Sequence, residues 1–167
     1  VTAESIARKQ NPTNGVVTML CAGRMLREKG VDMVVKAFAM MPRKERYRVI
    51  LSGSGPAFQD VQELVAQHRL EKYVYLPGWV EREKLLGFFK KSQIFIFPNW
   101  WLAYGSVALE EAMSMGLASI IPKGGALEWL SGGTARMFTP GDVADLARAM
   151  QELGEDAKLR TAIASLG

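Results

Sequence analysis

Arg24 and Lys29 stand five positions apart in Gly23-Arg24-Met25-Leu26-Arg27-Glu28-Lys29-Gly30, directly after the apolar run Val16 to Ala22. A buried strand ends there and a helix follows. Both cations are therefore expected at the carboxyl edge of a sheet, where open α/β folds bind ligands. Guanidinium and ammonium groups are charge-assisted donors to phosphate oxygens, so a phosphate-bearing ligand suits them. In isolation they would be ordinary loop charges, but three further loops are unusual. Gly53-Ser54-Gly55-Pro56 has glycines that permit close backbone approach, and equally suits a tight turn before a helix. Pro98 to Ser106 ends in Tyr104-Gly105-Ser106 at a helix start, where free amides and the helix dipole favour an anion. Pro122-Lys123-Gly124-Gly125 precedes Glu128, and its glycines suit a turn or leave room for a sugar.

Two adjacent carboxylates, Glu110 and Glu111, follow the third loop. At about 100° per residue, Ala108, Leu109, Ala112 and Met113 share an apolar face. Glu111 lies at its edge, between Val107 and Met115, whereas Glu110 shares the polar side with Ser114. A carboxylate beside apolar neighbours needs a hydrogen-bonding partner, which favours Glu111 over Glu110 for a ligand. Cys21, the single cysteine, lies in an apolar strand and reads as a buried, inert thiol. His68, the single histidine, sits late in an amphipathic helix and reads as surface packing. No His/Cys/Asp cluster suggests a metal.

These loops need strands and helices to hold them. Apolar runs predict strands at Val16–Ala22, Tyr47–Ser52, Tyr73–Leu76, Ile94–Phe97, Ala118–Ile121 and Ala135–Phe138. Helical spacing predicts helices at Val31–Met41, Ala57–Arg69, Glu81–Lys91, Ser106–Met115, Gly141–Leu153 and Asp156–Ser165. The strands are continuous apolar runs without polar alternation, as in a parallel sheet covered on both faces. Right-handed crossovers then give an α/β fold: a doubly wound, Rossmann-like parallel sheet of about six strands with helices on both faces. Residues 1–15 are polar and turn-rich and are expected to be an entry linker, with the domain at 16–167.

The 167 residues suit one domain with a sizeable core. At 49% hydrophobic and 23% charged, the composition is globular rather than disordered. Net charge is +4 with the basic residues dispersed, which fits an anionic small ligand or membrane surface and not nucleic acid. No apolar run reaches the length of a membrane span.

Six motifs occur in order: Gly23-Arg24 with Lys29-Gly30; Gly53-x-Gly55-Pro56; Leu76-x-Gly78-x-Val80; Glu111-Ala112-Met113-x-x-Gly116; Gly124-Gly125-x-x-Glu128; and Pro140-Gly141-Asp142. This series resembles the C-terminal, donor-binding domain of family 4 retaining glycosyltransferases, which have a two-Rossmann-domain architecture. It covers the chain from about Val16. The resemblance implies transfer of a sugar from a nucleotide-sugar, UDP- or GDP-linked, with retention of configuration. It implies no cofactor and no metal, with Arg24, Lys29 and Glu111 in catalytic roles. It implies donor contacts at Gly23, Gly53, Gly78, Tyr104, Gly105, Ser106, Val107 and Glu110, and a nucleobase near Gly78 and Trp79. The acceptor would be held by a separate N-terminal domain, and the isolated domain would be inactive. A cytoplasmic location is expected, with peripheral membrane association through that other domain.

The family's signature places one glutamate eight positions before the second. Counting back from Glu111 gives Ala103, and from Glu110 gives Leu102, so the first glutamate is missing. Trp100 and Trp101 in that loop would stack on a sugar, face the other domain or pack in the core. Ser54 replaces an aspartate common in its turn. These departures motivate an alternative, a degenerate domain acting as a scaffold or regulatory partner.

Overall fold

A computed structural model describes residues 2–99 and 106–166. Six strands form one sheet: β1 (Val17–Ala22), β2 (Tyr47–Ser52), β3 (Val74–Gly78), β4 (Ile94–Ile96), β5 (Ala118–Pro122) and β6 (Arg136–Phe138). Their order is β3-β2-β1-β4-β5-β6, and every pair is parallel. That is the doubly wound Rossmann order, with its switch point between β1 and β4. The expected fold class is the observed one.

Side chains alternate across the sheet and both faces are buried. Met19, Val49, Leu51, Ile94, Ile96 and Ile120 point into the larger core. There they meet α2 (Val31–Met40), α3 (Phe58–Gln67), α7 (Val143–Glu155) and α8 (Ala157–Leu166). Leu20, Ile50, Phe95 and Ile121 point the other way. They are covered by α4 (Arg82–Lys91), α5 (Val107–Ser114) and α6 (Ala126–Leu130). Pro140-Gly141-Asp142 starts α7: Asp142 accepts from the Asp145 amide at 2.9 Å, and Asp145 accepts from the Thr139 amide at 2.7 Å. The second bond holds the Asp145 carboxyl below its ordinary pKa. No helix among the described residues is long and apolar enough to cross a membrane.

The entry segment differs from the expected polar linker. Residues Ala3–Gln10 form α1, started by Thr2, whose side chain accepts from the Ser5 amide. The helix docks on the sheet edge opposite the ligand loops. Only Ile6 offers it an apolar anchor; polar bonds carry the rest. Gln10 Nε2 donates to the carbonyls of Gln93 and Gly116 at 3.0 and 2.9 Å. Lys9 Nζ donates to the carbonyls of Phe89 and Met115, which close α4 and α5, at 2.8 and 3.0 Å. A cation is favourable at helix carboxyl ends.

Burial nevertheless lowers the Lys9 pKa from 10.5 to about 8. Below pH 8 the folded and unfolded chains both carry the proton, and the burial cost is present in full. Between about 8 and 10.5 the unfolded chain holds more protons, so stability rises with pH. The neutral amine still has a proton for each carbonyl. The melting temperature of the wild type should therefore gain on that of Lys9→Met between pH 7 and pH 10. A wild-type melting temperature that falls relative to that of Lys9→Met over this range would refute this reading of Lys9.

Candidate functional site

The three loops on the β1–β3 side are cross-linked by backbone. After β1, the Gly23 amide donates to Ser52 O at 3.0 Å and the Met25 amide to Ser54 O at 2.9 Å. The Ala57 amide returns to Met25 O at 3.0 Å, and the Gly53 amide reaches Gly78 O at 2.9 Å, which ties in the loop after β3. Gly53 and Gly55 have φ of +143° and +153°, and a Cβ on either would collide with the carbonyl of Gly23 or Met25. The close approach expected of Gly53 is thus an approach to the neighbouring loop. Arg24 is held between two anchored residues, with Met25 buried and its own side chain exposed.

Lys29 ends a turn of 3-10 helix, Arg27–Lys29, and Gly30 in the left-handed region passes the chain into α2. Both cations line one cavity of about 260 Å³ at the switch point. Its origin is in the strand register: β1 and β4 pair only at Met19–Ile94 and Leu20–Phe95, then part. The fork between Cys21-Ala22 and Ile96-Phe97 is the cavity. Ser106 and Ala108, at the start of α5, form the remaining wall with Asn99. Ser106 caps that helix by accepting from the Leu109 amide at 3.2 Å. Arg24, Lys29 and the first residues of α5 thus border one recess. No ion pair with a carboxylate among the described residues engages Arg24 or Lys29.

A second cavity, about 250 Å³, lies under the loops of β1, β2 and β3. Gly53, Ser54, Trp79, Val80 and Leu85 line it, and it shares Ala22, Gly23 and Arg24 with the first. Trp79 is 66% exposed, so its ring is not used in the core. Gly78 closes β3 in the left-handed region with φ +73°. Cys21 lies buried in the wall of the first cavity, and burial pushes its thiol up to about 12, as an inert thiol requires. His68 caps the end of α3 and is exposed.

The two glutamates separate as helix geometry suggests. Glu110 is exposed, while the Glu111 side chain is only 20% exposed and forms an ion pair with Arg82 at the start of α4. Sequence reasoning missed Arg82, because nothing local marks a partner 29 positions away. Glu111 does not line the cavity of Arg24 and Lys29, and Val107 turns its side chain to solvent. At the fourth loop, the Gly124 amide donates to Glu128 Oε2 at 2.9 Å, so Glu128 caps its own short helix α6. Trp100, Trp101, Leu102, Ala103, Tyr104 and Gly105 lie outside the described residues.

Residues 3–166 match the profile of the family described as glycosyl transferases group 1. Over 147 residues the chain is 29% identical to the phosphatidylinositol N-acetylglucosaminyltransferase GPI3 subunit of Saccharomyces cerevisiae, covering 87% of the chain and 32% of the relative. It thus spans about a third of that relative's length. In fold it is similar to Alr3699/HepE of Anabaena in complex with UDP, with a TM-score of 0.80, 21% identity, and coverage of 99% of this chain and 47% of that one. It is also similar to the C-terminal domain of the group 1 protein LpcC of Francisella tularensis, with a TM-score of 0.78, 18% identity, and 98% and 92% coverage.

Proposed function

The chain belongs to the group 1 glycosyl transferases, and on that premise we propose that it is the donor-binding half of a nucleotide-sugar glycosyltransferase acting with retention of configuration. One observation carries this reading: Arg24, Lys29 and the start of α5 meet at the β1–β4 fork. The diphosphate of the donor lies there, against the two cations and the free amides of the first turn of α5. The nucleobase extends past Arg24 into the adjoining cavity toward Gly78 and Trp79, and Glu111 takes the ribose. No cofactor or metal is called for, because these groups meet the diphosphate charge.

When the bond between the sugar and the diphosphate breaks, negative charge builds on the leaving phosphate. The backbone that carries Arg24 is anchored at Gly23 and Met25, and positive charge from Arg24 and Lys29 beside the leaving phosphate stabilises the transition state. The acceptor is held by a second, N-terminal domain, and this domain by itself binds nucleotide and transfers little sugar. That second domain also provides any peripheral contact with the cytoplasmic face of a membrane.

Calorimetric titration of the chain with UDP, GDP and ADP tests the reading. At least one should bind, and Glu111→Ala should lose roughly 1–3 kcal/mol for it. Failure of all three to bind a folded chain overturns the proposal. The absence of any acid between Pro98 and Ser106 favours one second reading, a non-catalytic scaffold. Sugar transfer by the full-length protein, unmodified at Ala103, discards it.

A further inference from the structure

Glu111 is not free to meet a ligand in any conformation it chooses. Arg82 Nη2 donates to its Oε1, and no other bond from Arg82 to that carboxylate is present. The guanidinium is 63% exposed and approaches from the solvent side, while the carboxylate is only 20% exposed and lies against the protein. The two helices that carry the pair are fixed beneath it: Val80 and Leu85, on either side of Arg82, pack on the cluster that contains Leu109 and Ala112. Val80 and Leu85 also line the cavity under Trp79. Neither Arg82 nor Glu111 lines that cavity; Val80 and Leu85, two and three positions from Arg82, connect the pair to the recess proposed for the nucleoside.

A carboxylate has about four lone-pair sites. One N–H on Oε1 leaves Oε2 and half of Oε1 open, enough for the two hydroxyls of a vicinal diol. A free glutamate loses up to about 2 kcal/mol of rotamer entropy when it is ordered. A glutamate already held by an arginine has met that cost before the ligand arrives.

We infer that Arg82 is a positioning residue that pre-orders Glu111 for the ribose of the nucleotide. This rests on the proposed function and adds a specificity element to it. Arg82 touches Glu111 and not the ligand, so its effect belongs to ligands with a ribose and vanishes when the carboxylate is already removed.

The test is a double-mutant cycle in this chain, read by calorimetry with the best-binding nucleoside diphosphate and with inorganic pyrophosphate. Arg82→Gln should weaken nucleotide binding about 3–10-fold, leave pyrophosphate binding unchanged, and have no further effect in a Glu111→Gln background. Arg82→Lys should recover part of the loss, because an ammonium still supplies one donor. Equal nucleotide binding by Arg82→Gln and wild type overturns the inference and leaves the donor site standing. So does an equal loss for pyrophosphate, or the same loss in both backgrounds. If the wild type binds no nucleotide, the proposed function falls and the inference falls with it.

Discussion

Gly53→Ala is expected to cost about 3 kcal/mol or more and to remove ligand binding with it. Two penalties coincide at this position. The φ of +143° is one that side chains rarely adopt, and the new Cβ would be driven into the Gly23 carbonyl. The obstacle is backbone, so no rotamer change relieves it. The Gly23 amide is bonded to Ser52 and the Gly53 amide to Gly78, so moving either strand end breaks a ladder that spans three loops. For a domain of this size, about 3 kcal/mol lowers the melting temperature by roughly 6–12 °C. Gly15→Ala is the control, since Gly15 also has positive φ, at +68°, but has nothing within 4 Å of the added atom. It should pay the conformational strain alone. A melting temperature for Gly53→Ala equal to that of Gly15→Ala would mean that the two loops do not touch in solution.

Arg24→Ala is expected to reduce sugar transfer by the full-length protein roughly 10²–10³-fold. The residue forms part of the wall of both cavities, so a ligand that occupies the two must pass it. Its backbone is clamped between Gly23 and Met25, and its loss leaves the loop in place. The deficit should therefore appear in kcat/KM and in diphosphate affinity, with the melting temperature unchanged. Added salt should weaken UDP binding to the wild type more than to Arg24→Ala, because one fewer cation is engaged. Wild-type kinetics from Arg24→Ala would place the diphosphate elsewhere.

The sheet was legible because its strands are continuous apolar runs, and the doubly wound order follows from strand–helix alternation. The cations were legible because they stand at a strand end. Helix α1 was not, because its docking is written in Lys9 and Gln10 rather than in an apolar stripe, with Ile6 its only buried hydrophobic residue. Helix α6 has five residues, too few for a helical period to show. The Gly-x-Gly of residues 53–55 was visible as a pattern, but which backbone it accommodates depends on a neighbouring strand. Glu111 could be preferred over Glu110 from the helix wheel, whereas its pairing with Arg82 arises only when α4 and α5 are laid side by side.

The recess at the β1–β4 fork exists because two backbones diverge after a short stretch of pairing. Ala22, Gly23 and Ala108 in its lining keep it open. A larger side chain at Ala108 should fill the hollow, whereas Cys21, Ile96 and Asn99 are buried and a change there also disturbs the packing. Substitutions in this lining therefore act on whatever occupies the fork, while the strands that frame it stay paired elsewhere in the sheet.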